Sequence, residues 1–176
     1  MGRQPFSAEA DQRTNRVIQV RQNRVAREEI NQSKGSGAAG MNIIVTYLSV
    51  TIAFVALDSI WLKTMGERLY RPVLGELLRT EPNLTAAAVF YLMYPIGLIG
   101  FAVLPAHYDN SAVRAFVSGS MFGFFTYATY DLTNQATLRS WSTTLTVADI
   151  SWGSFLAGLS AWLGYLVVQR VGSSPW

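Results

Sequence analysis

Three aspartates stand inside stretches of apolar sequence: Asp58, Asp131 and Asp149. An ionisable side chain is costly inside a hydrophobic segment, so each is a candidate for chemistry before it is a candidate for packing. Carboxylates in such places move protons as general acids or bases. They also hold hard divalent cations such as Mg2+, Ca2+ or Mn2+ by oxygen-only ligation, and the metal can then bridge to a substrate phosphate. A cluster of bare carboxylates repels itself and needs a proton, an arginine or a metal to persist. Asp58, Asp131 and Asp149 are therefore the catalytic candidates. The cofactor stays open, with a divalent hard cation compatible with the ligand type.

Helical spacing supplies their neighbours. Asn134 stands three residues after Asp131 and Tyr127 four before it, on one face. Trp61 follows Asp58 by three and Trp152 follows Asp149 by three. Tyr91 and Tyr94 belong to a further apolar stretch, and Arg68, Arg71 and Arg139 lie in polar connections. Tyr127, Asn134, Arg139, Trp152, Tyr91 and Trp61 are thus candidates for substrate binding. A purely structural account competes with this one. Trp and Tyr anchor helices at membrane interfaces. Asp149 near a helix start suits the macrodipole. Asp58 or Asp131 could pair with Lys63, Arg71 or Arg139. Against it, Asp131 falls at a helix C-terminal end, where the dipole disfavours a carboxylate.

The elements that would position these residues are apolar runs of bilayer length. A hydrocarbon core of about 30 Å needs roughly 20 apolar residues. Four segments qualify, at about 42–62, 84–104, 112–132 and 145–168. The expected fold is all-α, a bundle of four transmembrane helices behind a polar N-terminal extension, with three helices plus a re-entrant segment as the alternative. In an up-and-down bundle the ends of the first and third spans share a membrane face with the starts of the second and fourth. All three aspartates then lie at shallow depth beside one leaflet. Pro95 inside the second span, with Gly97 and Gly100 after it, predicts a kink. The connection from Lys63 to Asn83 is long and charged, with Val73, Leu74, Leu77 and Leu78 at helical spacing, which predicts a part lying in the interface. His107 falls on the opposite side from the aspartates.

Composition agrees with a bilayer. Half the residues (50%) are hydrophobic, 14% are charged and there is no cysteine, over 176 residues. That excludes a disulfide scaffold, a thiolate metal site and disorder throughout. The net charge of +3 is local: residues 1–40 carry seven basic and four acidic side chains, and the rest carries seven of each. The body has no basic stripe, so nucleic acid is not an expected partner, whereas membrane lipids are. Residues 1–40 read as a disordered extension ending in a flexible Gly-Ser-Gly-Ala-Ala-Gly linker at 35–40. A short amphipathic helix near Val17–Ile30 resting on anionic headgroups is a second reading. A third is that Met41 is the native start. Counting Lys and Arg from Met41 favours both termini outside, and counting the extension reverses that.

Other signatures are missing. There is no HExxH, no P-loop and no G-x-G-x-x-G. Gly153, Gly158 and Gly164, with Ala157, Ser160 and Ala161, suit close helix packing in the last span.

The strings Leu57-Asp58-Ser59-Ile60-Trp61-Leu62, Tyr127-Ala128-Thr129-Tyr130-Asp131-Leu132-Thr133-Asn134-Gln135-Ala136-Thr137-Leu138 and Asp149-Ile150-Ser151-Trp152-Gly153 resemble the signature segments of a bacterial membrane-protein family, domain of unknown function 2177 (DUF2177). Asn83-Leu84-Thr85-Ala86-Ala87-Ala88-Val89-Phe90-Tyr91 resembles it too, and the likeness runs from about Met41 to Val168. It implies a small multi-pass protein of the inner membrane. It implies no particular activity and no catalytic residues.

Three functions remain open on the sequence. One is an enzyme acting on a lipid or isoprenoid through the one-leaflet Asp/Asn/Tyr cluster. Another is a small proton-coupled transporter, although carrier sites usually sit nearer the midplane. The last is a non-catalytic scaffold that offers the connection from Lys63 to Asn83 to a partner.

Overall fold

Apolar runs of this length fold as helices because lipid offers no partner for a free backbone N–H or C=O. The computed structural model describes the backbone from Phe6 to Val171, and side-chain surroundings for residue 13 and residues 15–30, 43–75 and 77–171. It is all-α. The chain divides into two compact units, Met1–Met41 and Asn42–Trp176.

The first helix, α1 (Phe6–Met65), begins in the first unit. There its residues 15–30 are exposed, Val17, Ile18, Val20, Val25 and Ile30 among them. The linker-like residues 35–40 have helical backbone, and their side chains lie outside the described residues.

In the second unit, a wide π turn at Gly66–Tyr70 follows α1 and leads into α2 (Arg71–Leu74). The helical path from Ile43 therefore reaches Leu74, beyond the expected end of the span. Pro72 falls in the first turn of α2, directly after the wide turn. Gly75, at φ 49° and ψ −118°, breaks the path in a conformation open to glycine and few other residues. Asn83 caps α3 (Leu84–Leu98) by accepting from the Ala86 N–H at 3.2 Å. After Pro95 the helix loosens into a second π turn, Ile99–Val103, before α4 (Leu104–Tyr108). Pro95 sits inside α3, and the wide turn falls four residues after it, directly ahead of Pro105 in the first turn of α4.

Ser111 caps α5 (Ala112–Thr137) through the Arg114 N–H, and Ser142 caps α6 (Thr143–Val171) through the Leu145 N–H. These two helices pack closely along small residues. A Cβ on Gly123 would collide with the Gly153 carbonyl, and a Cβ on Gly153 with the Tyr127 ring. The core lies toward the α4 end, where Val50, Leu98, Val103 and Tyr165 are buried with several alanines.

The outside of the unit is apolar. Ile52 is 66% exposed and Phe101 70% exposed, in company with Ile44, Met93, Val113 and Phe125. A water-soluble surface rarely carries so much contiguous apolar area, whereas lipid solvates it. Among the described residues three helical stretches are long and apolar enough to cross a membrane: Ile43–Leu74, Leu84–Tyr108 and Thr143–Val171. The remaining long helix, α5, has 26 residues but a more polar sequence. Its Thr126, Tyr127, Asp131 and Asn134 lower its hydropathy, and Asp131 is fully buried.

Candidate functional site

The buried face of α1 repeats every fourth residue, through Thr46, Val50, Phe54 and Asp58. That repeat is the inward stripe of a helix, and Asp58 continues it. Asp58 is 6% exposed and Asp149, on the inward stripe of α6, is 4% exposed. Both line a cavity of about 400 Å³ between the helices.

Each acid is held by a donor from another element. The Tyr91 hydroxyl, on α3, donates to Asp58 Oδ2 at 2.6 Å, and the Trp152 indole N–H, on α6, approaches Asp58 Oδ1 at 3.5 Å. The Tyr70 hydroxyl donates to Asp149 Oδ1, and itself accepts from the Trp61 indole N–H at 3.0 Å. The Trp61 and Trp152 rings stack. A continuous chain of contacts therefore runs Tyr91–Asp58–Trp152–Trp61–Tyr70–Asp149. It ties together α1, the first π turn, α3 and α6.

The remaining walls are aromatic. Tyr94, Tyr127 and Tyr130 line the cavity with Phe90 and Thr126. Tyr94 and Thr126 hydroxyls lie 3.0 Å apart, and Thr126 also donates to the Phe122 carbonyl at 2.9 Å, which leaves Tyr94 as donor to Thr126. Phe54 stacks on Tyr94 with centroids 4.6 Å apart, fixing the ring from the α1 side. Tyr127 fits because Gly153 presents no Cβ to it.

Of the residues expected from sequence, the structure brings together Asp58, Asp149, Trp61, Trp152, Tyr91 and Tyr127. Tyr91 reaches Asp58 from outside the cavity lining, and three others neither line the cavity nor bond to its acids. Arg139 is exposed and Asn134 half-buried. Asp131 is fully buried outside the lining, and neither of its oxygens has a hydrogen-bond partner among the described residues. Among those residues no three His, Asp or Glu side chains are grouped as metal ligands. The pairings with Lys63, Arg71 or Arg139 considered for the acids do not occur either. Arg71 pairs with Glu67 at 3.2 Å, and Arg114 pairs with Asp109.

Tyr70 is the functional candidate that sequence reasoning missed. Its signal was present, since it is the only aromatic residue in the connection from Lys63 to Asn83. The π turn carries it inward, and such turns recur at functional sites.

No curated protein matches the chain, and no solved structure does. Residues 43–166 match the family described as Predicted membrane protein (DUF2177), a stretch that contains the whole cavity lining. The chain belongs to that family of membrane proteins.

Proposed function

We propose that the protein crosses the inner membrane of a bacterial cell four times and acts on a lipid or isoprenoid that enters the cavity from the bilayer. The observation that carries this reading is the placing of Asp58 and Asp149 together on a cavity of about 400 Å³ whose other walls are largely aromatic. Such a volume suits an organic ligand, and a mainly apolar wall with a few convergent polar groups is the usual make-up of a ligand site. A fourth crossing by α5 is supported by its length, about 39 Å at 1.5 Å per residue. It is supported too by the exposed Val113, Val117, Met121, Phe124, Phe125 and Leu132 on its outer face.

The two acids have different surroundings and take different roles. Asp58, approached by Tyr91 and Trp152, is the fixed group that orients the substrate. Asp149 accepts from the Tyr70 hydroxyl and is the acid–base group, its carboxylate exchanging the proton with the substrate. Trp61 holds Tyr70 in line. Arg139 and Asn134, outside the lining, are assigned no part in the chemistry.

The test is turnover. Purified full-length protein in lipid nanodiscs is incubated with a bacterial lipid extract, and the extract is compared by mass spectrometry before and after. A lipid species that is converted by the wild type and spared by Asp149→Asn supports the reading. An extract that the wild type leaves unchanged overturns it.

A second reading, a proton-coupled carrier, is favoured by Asp131, a fully buried carboxylate without a hydrogen-bond partner among the described residues. Intramembrane acids of that kind are common proton relays. Substrate flux into proteoliposomes that follows a proton gradient and is lost in Asp131→Asn supports it. Flux unaffected by that substitution removes the coupling.

A further inference from the structure

The cavity joins two kinds of group that favour the same ligand charge. Seven of its lining residues are aromatic, and two of the remaining four are the buried carboxylates Asp58 and Asp149. No Lys, Arg or His belongs to the described lining. The nearest basic side chain along the chain from Tyr70, Arg71, is exposed and engaged with Glu67. Aromatic faces attract cations through the ring quadrupole, most strongly where water is excluded, and Trp is the strongest of them. Carboxylates beside the rings add a full opposite charge at low dielectric. An anionic headgroup meets neither a cation nor a ring of N–H donors here. The Trp61 and Trp152 N–H groups are turned to Tyr70 and to Asp58, and the Tyr70 and Tyr91 hydroxyls to the two acids.

We propose that the cavity binds an organic ammonium cation, amine or quaternary, between the aromatic rings and the carboxylates of Asp58 and Asp149. This rests on the reading of the cavity as a ligand site and narrows its substrate to molecules with a positively charged nitrogen. A hydrated metal ion suits the site less well, because the walls that would replace its water shell are rings rather than oxygens. Trp61 and Trp152 stack in parallel and both line the cavity, so the pair presents a broad aromatic wall. Asp58 and Asp149 are reached from opposite ends of the contact chain that runs through that pair. The charge of the cation adds to the hydrogen bonds from Tyr70 and Trp152 in offsetting the cost of keeping two acids at membrane depth, and no other positive charge belongs to the described lining.

The experiment is a calorimetric titration of the full-length protein in phosphatidylglycerol nanodiscs. The probes are benzyltrimethylammonium, its uncharged carbon isostere neopentylbenzene, and benzylphosphonate. The expected result is saturable binding of the ammonium, at least about tenfold tighter than its isostere, and no binding of the phosphonate. Asp58→Asn and Asp149→Asn are each expected to weaken ammonium binding by about tenfold or more. Equal affinity for the ammonium and the isostere, or preference for the phosphonate, overturns the cationic assignment and leaves the cavity a ligand site. Failure of all three probes overturns the ligand site itself. Because the isostere comparison uses the wild type, it decides the matter even if the variants fail to fold. Repeating the titration in phosphatidylcholine nanodiscs separates two sources of the ammonium. Competition there assigns it to a lipid headgroup, and equal binding in both assigns it to a free amine; either upholds the proposal.

Discussion

The indole rings of Trp61 and Trp152 lie parallel, 6° apart in orientation with centroids 4.6 Å apart, although one belongs to α1 and the other to α6. Each stands three residues beyond an acid of its own helix, yet the hydrogen bonds cross over. Trp152 approaches Asp58, and Trp61 reaches Asp149 only through Tyr70. The stack is therefore the point at which the two acids are mechanically joined. Truncating Trp152 to alanine should lower the stability of the second unit by about 3 kcal/mol, as for other large aromatic truncations in a packed interior. Trp152→Phe should recover most of that, since it keeps a ring against Trp61 while removing the N–H. Thermal unfolding in a mild detergent measures both, and equal losses for the two variants would show that the stack contributes little.

Tyr70 gives a second prediction. Its hydroxyl accepts from Trp61 and donates to Asp149, so Tyr70→Phe removes two hydrogen bonds while preserving the ring. One consequence is a loss of about 1–3 kcal/mol, because partners are left partly buried. The other is local. The backbone of the π turn at Gly66–Tyr70 should exchange amide hydrogen faster than in the wild type, while α5 and α6 stay protected. Hydrogen exchange read by mass spectrometry tests it, and unchanged exchange in that turn would mean that Tyr70 does not anchor it.

How far this site was legible in the sequence follows from the range of each contact. The three-residue spacing of Asp58 with Trp61, and of Asp149 with Trp152, places each indole one turn from an acid, and both indoles do line the cavity. The spacing carries no information about which acid an indole will bond, because that depends on packing between helices distant in the chain. Tyr70 was hidden for another reason. A regular helix beyond Met65 would give it a different bearing, and the inserted π turn changes the phase by an amount that the hydrophobic pattern does not encode. Asn134 keeps the spacing of three from Asp131 but is half-buried outside the lining, and Arg139 is exposed beyond the end of α5. In each, local spacing was right and the tertiary direction was not available. The helices themselves were plain, and of the four expected spans only α5, with its Thr126, Tyr127 and Asp131, falls outside the stretches apolar enough to cross a membrane among the described residues.

The contact between α5 and α6 can be tested at one atom. Gly153→Ala places a methyl group into the Tyr127 ring, and neither the ring nor the helix backbone can retreat cheaply. Overpacking of this kind should cost about 1–3 kcal/mol. It should also push Tyr127 into the cavity and reduce any ligand affinity measured there. Gly66→Ala is the control, as a Cβ at that position meets nothing within 4 Å. Thermal unfolding of the two variants side by side decides the matter, and equal melting temperatures would contradict the close approach.

Asp131 is expected to be a liability to the fold. It is fully buried, and neither oxygen is hydrogen bonded among the described residues. A buried polar group without a partner costs about 1–3 kcal/mol, and more if it is charged. Asp131→Asn removes the charge at nearly constant shape, so stability should rise by about 1 kcal/mol or more. The same substitution at Asp58, which would lose nothing in volume but would weaken two charge-assisted bonds, should lower stability instead. Opposite signs for the two Asp→Asn variants are the expected outcome of unfolding experiments in detergent. A loss at Asp131 would mean that its carboxylate has a stabilising partner in the folded protein.

The four-crossing topology makes the sharpest claim about orientation. The chain has no native cysteine, so single thiols can be introduced without background. If α5 crosses, then Leu78, after α2, and Gln135, near the end of α5, face the same compartment, while Asp109, before the start of α5, faces the other. All three positions are accessible enough to label: Leu78 and Asp109 are exposed, and Gln135 is half-buried at a polar helix end. In oriented vesicles, a membrane-impermeant maleimide should modify Leu78→Cys and Gln135→Cys from one side and Asp109→Cys only from the other. Labelling of Leu78→Cys and Gln135→Cys from opposite sides would remove α5 from the set of crossings. The acids of α1 and α6 would then no longer share a face with the end of α5, and Tyr127 and Tyr130 could not close the cavity around an ammonium ligand.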